Sequence, residues 1–214
     1  MSLAIVYTRA ALGIEAPLIT VEVHLSNGLP GLTMVGLPET TVKEARDRVR
    51  SALINSGYAF PAKKITINLA PADLPKEGGR YDLPIALALL VASEQLNTTR
   101  LNQYEFVGEL ALTGGLRGVP GAIPSAMEAI KAGRRIVVSS DNAAEVGLIG
   151  GSDCRLPTIC RRCVLFSRGR HRFRRLSPRH PPLMNAAKIC AMLSASSRAS
   201  ERWRLWPPGV TTCS

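Results

Sequence analysis

The chain has 214 residues, is 46% hydrophobic and carries a net charge of +11, a length that fits one large domain or two small ones. Its longest apolar run, Leu83 to Ala92, is too short to span a bilayer and contains Pro84. Met1 to Arg9 lacks the layout of a secretory signal, so the expectation is a cytoplasmic protein without a membrane partner. The charge is not shared evenly. Residues 1–150 hold 14 Lys/Arg and 14 Asp/Glu, whereas residues 151–214 hold 13 Lys/Arg against Asp153 and Glu201. All five cysteines and both tryptophans also lie in the second part. This break divides the chain into a domain of ordinary size, residues 1–150, and an Arg/Cys-rich tail, residues 151–214. The lack of cysteine in the first part fits a reducing compartment.

Within residues 1–150, Ile19-Thr-Val-Glu-Val-His-Leu25 alternates and is rich in β-branched residues, which predicts a strand. Asn27-Gly28 supplies a turn, and Leu32 to Leu37 is read as the returning strand of a hairpin. Thr40 and Thr41 offer an N-cap, with Glu44 in capping-box position. The helix they open runs to about Ser56 and is stopped by Gly57. Its apolar positions Val42, Ala45, Val49, Ala52 and Leu53 share a face, and Lys43, Glu44, Arg46, Asp47, Arg48 and Arg50 share the other.

Lys64-Ile-Thr-Ile-Asn-Leu69 is a further strand. After a Pro/Gly-rich loop, Asp82 is placed to cap a buried helix from Leu83 to about Gln95, with Pro84 tolerated in its first turn. Phe106 to Leu112 is predicted as a strand, Thr113 to Gly118 as a turn, Gly121 to Ala132 as a helix and Arg135 to Ser139 as a last strand. Strands alternating with helices imply an α/β (α+β) sandwich.

Lys64-Ile-Thr-Ile-Asn-Leu-Ala-Pro-Ala-Asp-Leu-Pro-Lys-Glu-Gly-Gly-Arg-Tyr-Asp-Leu-Pro-Ile-Ala-Leu87 and Val107-Gly-Glu-Leu-Ala-Leu-Thr-Gly-Gly-Leu-Arg-Gly-Val-Pro-Gly121 resemble the N-terminal domain of the YifB/ComM family of magnesium-chelatase-like AAA+ ATPases. Tyr7 to Arg9 and Met34-Val-Gly-Leu-Pro38 fit as well. The likeness is read as covering residues 1 to about 149. It implies a ribosomal protein S5 domain 2-like fold, shared with the proteolytic domain of Lon. In that family the domain precedes an ATP- and magnesium-dependent motor. The complete protein resembles a homo-hexameric helicase that drives DNA branch migration when transforming DNA is integrated during competence.

The chain departs from the family pattern in one respect. The motor needs a Gly-x-x-x-x-Gly-Lys-Ser/Thr loop to hold phosphates, and neither that string nor a Walker B run occurs in the 214 residues. The glycines at 108, 114, 115, 118 and 121 lack a Gly-Lys pair and are assigned to turns. No catalytic residue, cofactor or metal is therefore expected in this chain, although complete family members are ATPases. Lon-type proteolysis needs a Ser nucleophile and a Lys base. The matching stretch Gly79-Arg80-Tyr81-Asp82-Leu83-Pro84 has no Ser, Pro120-Gly121-Ala122-Ile123-Pro124 has no Lys, and nearby Ser125 has no evident basic partner.

Two surfaces remain as candidates for nucleic-acid or partner contact. The loop from Asp73 to Asp82 is read as exposed and carries Lys76, Glu77, Arg80 and Asp82, with Lys76 and Arg80 as the contact residues. The first helix offers Arg46 and Arg50, and the plain alternative for both surfaces is a solvated face. Three readings compete for the tail. As a basic arm, Arg161-Arg162 and Arg168-Gly-Arg-His-Arg-Phe-Arg-Arg175 would bind phosphates with strong salt dependence, making the chain a stand-alone nucleic-acid-binding protein. As a metal site, Cys154, Cys160, Cys163, His171 and His180 supply ligands, but Cys160-Arg-Arg-Cys163 has no second pair.

The third reading is out-of-frame translation, which would leave the tail disordered and the motor lost. Arg outnumbers Lys there by 12 to one, against nine to five in residues 1–150. Back-translating Cys190 to Cys213 with synonymous codons and reading one base later can spell R-D-V-I-G-Q-Q-Q-G-K-R-A-L-E-I-M-A-A-G-G-H-N-L, which resembles the family stretch before the P-loop. A role as a magnesium-chelatase-related subunit is the weaker alternative, because that activity needs the motor.

Overall fold

The computed structural model describes residues 2–36, 39–74, 76, 78–96 and 101–149. The tail and Glu77 lie outside the described residues, and so do the three readings of the tail. The elements in chain order are β1 Ser2–Arg9, β2 Leu18–Ser26, β3 Gly31–Val35, α1 Glu39–Asn55, β4 Lys64–Ala70, α2 Asp82–Ala92, β5 Tyr104–Phe106, β6 Glu109–Leu110, β7 Leu116–Arg117, α3 Ala122–Lys131, β8 Arg135–Val137 and α4 Ala143–Val146. The fold is mixed α/β. Its main sheet has the strand order β3-β4-β2-β1-β5-β8, in which β2 alone runs against both neighbours.

The period-two pattern decides which face of the sheet is buried. Ile19, Val21, Val23 and Leu25 of β2 point the same way as Ile65, Ile67 and Leu69 of β4 and Ala4 and Val6 of β1, and all are buried. They meet α2, which is apolar all round and buried along its whole length. Leu83, Ile85, Leu87 and Leu89 are each fully buried, worth about 1.5–3 kcal/mol of transfer free energy apiece. The opposite sheet face carries Leu3, Ile5 and Val35 exposed to solvent.

α1 packs on α2 through Ala45, Val49, Ala52 and Leu53, as its spacing predicts. It ends as expected. The Gly57 N–H donates to Ile54 O at 2.9 Å and the Tyr58 N–H to Leu53 O at 3.0 Å, with Gly57 left-handed at φ 82°. It begins earlier than Thr40, at Glu39.

Three sequence expectations are corrected, and one strand is added. β2 and β3 are not a hairpin: the chain does reverse after Asn27-Gly28, but β4 slots between the two, pairing antiparallel with β2 and parallel with β3. The turn therefore spans two strand spacings, and β3-α1-β4 is a parallel crossover. β1 was not anticipated, yet it lies at the sheet centre between β2 and β5. Phe106 to Leu112 is not one strand. It breaks at Val107-Gly108, where Gly108 leaves the sheet to donate to Arg80 O and accept from the Leu83 N–H, both at 3.1 Å. β6 then pairs only with β7. Finally, α2 ends at Ala92 rather than Gln95, because Glu94 takes a left-handed conformation at φ 62°.

A buried ionic cluster ties the two ends of the domain together. Glu105 on β5 is fully buried and accepts from Arg9 Nε at 2.6 Å, Arg9 Nη2 at 2.8 Å and Arg134 Nε at 2.9 Å. Arg9 also donates to the carbonyls of Ala16 and Glu128 at 3.0 and 3.2 Å. Arg134 lies over the Tyr7 ring, 4.7 Å from its centroid. One carboxylate thus holds β1, the loop after it, β5 and both sides of the α3 C-terminus.

Candidate functional site

Arg46 and Arg50 lie one turn apart on the exposed side of α1, opposite the apolar stripe. The helix places them beside the segment that leads into β4, and together these elements line a groove of about 460 Å³. Its walls include Arg46, Asp47, Arg50, Phe60, Pro61 and Lys63, with Pro30 to Leu32 at the far side. The Arg50 guanidinium sits over Phe60, 5.0 Å from the ring centroid. Arg46 Nε donates to Asp47 Oδ1 at 3.1 Å, and both side chains are about half or more exposed, at 48% and 67%. Three cations, one anion and one aromatic ring thus line the groove, an arrangement suited to a phosphate backbone. The sequence reading named Arg46 and Arg50 but not Lys63. The signal was available in Phe60-Pro61-Ala62-Lys63-Lys64, a basic pair beside an aromatic.

The loop from Asp73 to Asp82 behaves differently, and the expectation that Lys76, Arg80 and Asp82 are exposed is corrected. Lys76 is buried, and its ammonium donates to the carbonyls of Pro71 and Leu74. Burial pushes its pKa below the ordinary lysine value, with Asp73 acting the other way. Arg80 is 5% exposed, and its Nη2 donates to Ser125 Oγ at 3.3 Å. The loop's own carbonyls and the start of α3 enclose both cations. Neither joins Arg46 and Arg50 in the groove.

Asp82 is also not the helix cap the sequence suggested. It is the first residue of α2, and its side chain makes no capping bond. Its carboxylate accepts from Arg48 Nε at 2.7 Å, Arg48 Nη2 at 3.3 Å and the Leu110 N–H at 3.3 Å. It therefore joins α1, α2 and β6. Burial pushes its pKa up from 3.8 to about 6, against the pull of Arg48 and the Leu110 N–H. The Arg48 pKa is raised, chiefly by its bond to Asp82. Arg48 is thus a structural cation and separate from Arg46 and Arg50.

Ser125 has a basic neighbour after all, in Arg80. The two stretches compared with the Lon dyad do converge, but a guanidinium has no acceptor and cannot take a hydroxyl proton. Ser125 is fully buried and donates to Gly121 O at 2.8 Å. Among the described residues, no three His, Cys, Asp or Glu side chains gather as a metal site, and no helix is long and apolar enough to cross a membrane.

Residues 21–142 match the family described as subunit ChlI of Mg-chelatase. The chain is 71% identical to YifB of Escherichia coli over 178 residues, 83% of this chain and 35% of that protein. It is 64% identical to the competence protein ComM of Haemophilus influenzae over 149 residues, 70% of this chain and 29% of that one. The chain thus spans about a third of the length of these curated relatives. The YifB match is too long to end at residue 149, so the likeness runs past the composition break near residue 150, further than the expected limit of about 149.

Proposed function

Since this chain belongs to the ChlI family of Mg-chelatase subunits and is a magnesium-chelatase-like module of the ComM/YifB type, we propose that residues 1–150 are a non-catalytic, DNA-engaging module of such a protein. In this reading the module has the S5-domain-2-like, Lon-related fold. In this reading the complete protein adds the ATP- and magnesium-dependent, hexameric branch-migration motor that the family resemblance implies, and one of the longer relatives is named a competence protein. The observation that carries the DNA contact is the groove lined by Arg46, Arg50 and Lys63, with Arg50 over the Phe60 ring. Phosphate contacts release counterions, so binding there depends steeply on salt.

The test is single-stranded DNA binding by fluorescence anisotropy across a salt series, for the full chain and for residues 1–150. Changing Arg46, Arg50 and Lys63 together to Gln should weaken binding in both. It should also flatten the slope of log K against log salt by about 2, the loss of roughly three single-strand phosphate contacts. An unchanged slope in both chains would overturn the groove. Binding that vanishes when residues 151–214 are removed would instead favour the stand-alone reading, with the Arg-rich arm as the contact.

For Cys190 to Cys213 we propose an out-of-frame origin. The back-translated string supports it, and the length of the YifB match puts any change of frame later than residue 150. Sequencing the gene from codon 145 to several hundred bases past codon 214 tests this. A shifted frame that encodes a P-loop is the expected result. A gene end with no motor in any frame would make the tail a feature of the protein.

A further inference from the structure

Arg80 is a buried cation without a counter-charge. It is 5% exposed, its Nε has no hydrogen-bond partner, and among the described residues no carboxylate pairs with it. Burial accordingly pulls its pKa below the ordinary arginine value, and only Tyr81 acts in the other direction. Burying an unpaired charge is costly, and a protein keeps such a group where something else neutralises it.

The fork of Arg80 points at the first turn of α3. Its Nη2 lies 3.3 Å from Ser125 Oγ, and its Nη1 lies 3.8 Å from the position a Cβ on Gly121 would take. α3 has ten residues and begins on Gly121, which is left-handed at φ 73° and caps the helix with no side chain. The leading N–H groups of a helix have no partner inside it. Pro124 has no N–H, so Ala122 and Ile123 hold the free donors of this turn. Ser125 donates its one proton to Gly121 O and accepts from Arg80, so it positions the guanidinium. A Cβ at 121 would stand in contact with Ala11 Cβ, Arg80 Nη1 and Pro124 Cγ, at 3.4, 3.8 and 3.9 Å, so glycine keeps a methyl-sized space beside the guanidinium clear of a side chain.

From this geometry we infer that the junction between Gly79–Tyr81 and the first turn of α3 binds a phosphate-class oxyanion, held by the Arg80 guanidinium and the N–H groups of Ala122 and Ile123. A helix N-terminus favours an anion through its free donors and its dipole, and the guanidinium adds charge-assisted bonds of fixed geometry. The source is either free phosphate or the terminal phosphate of a nucleic-acid strand. The site is independent of the α1 groove and does not rest on the proposal made for it.

The test uses the full chain at constant ionic strength. Inorganic phosphate, titrated against a chloride control, should raise the Tm saturably and shift the amide resonances of Ala122 and Ile123 and the Arg80 Nε–H signal. Arg80→Gln should weaken phosphate binding by roughly tenfold or more, the effect of losing charge-assisted bonds. Lys131→Gln, at the other end of α3, should bind as the wild type does. A 5′-phosphorylated dinucleotide compared with its unphosphorylated twin separates the two sources. A stronger response to the phosphorylated form assigns the site to a strand terminus, and equal weak responses beside a clear phosphate response assign it to the free ion. If Arg80→Gln fails to fold, the wild-type resonances still decide. No movement of these three signals with either probe, or full retention of the response in Arg80→Gln, would overturn the site.

Discussion

Glu105→Ala lowers the unfolding free energy by about 3–5 kcal/mol, the range for removing one partner of a buried ionic cluster. The carboxylate is fully buried and accepts three bonds from two arginines. Without it, Arg9, itself 5% exposed, keeps only the carbonyls of Ala16 and Glu128. Two like charges are then left facing each other in a low-dielectric site. Urea unfolding reads the effect as a fall in midpoint at unchanged slope. Glu105→Gln should fall between wild type and Ala, because it retains an acceptor without the charge. A loss below about 1 kcal/mol for Glu105→Ala would place the cluster with ordinary surface pairs and remove it as the tie between β1, β5 and α3.

The second large effect is a dependence on pH that comes from Asp82. Its folded pKa is raised to about 6 from 3.8, so between those values the folded state binds more protons than the unfolded state. Stability contributed by this group is therefore full below about pH 4, falls as pH rises, and levels off above about pH 6. A shift of about two units corresponds to ~3 kcal/mol. Asp82→Asn keeps an acceptor for Arg48 and the Leu110 N–H but cannot ionise. The difference in stability between wild type and Asp82→Asn should change by about that amount from pH 4 to pH 7, with the wild type relatively weaker at the higher pH. A difference that is flat across the range, or of opposite sign, would mean that Arg48 outweighs burial.

Where one pattern has one physical meaning, the sequence was readable. The alternation in β2 and β4, the apolar stripe of α1 and the glycines that close α1 and α3 translate directly into faces and ends. Strand order was not readable in the same way. A tight turn between two β-patterned segments says that the chain reverses, and it does not exclude a third strand arriving from 30 residues later to lie between them. The ends of the site divided along similar lines. Arg46 and Arg50 were legible because helical periodicity sets them opposite Ala45 and Val49. The burial of Lys76, Arg80 and Asp82 is not legible because a Pro/Gly-rich loop has no period from which burial can be read. Their burial comes from contacts with Pro71, Ser125, Arg48 and Leu110, some of them far away in sequence. Glu105 left no signal, since one carboxylate between Tyr104 and Phe106 looks like any strand position.

We propose that this module meets DNA at the groove on α1. The most direct test is to place a photo-crosslinking phenylalanine analogue at Phe60 of the full chain, irradiate it with single-stranded DNA, and repeat the experiment at raised salt. The expected result is a DNA adduct on residue 60 that fades with salt and is lost when Arg46, Arg50 and Lys63 are changed to Gln. No adduct at residue 60, under conditions where the same chain binds the DNA, would contradict it and move the contact away from the groove.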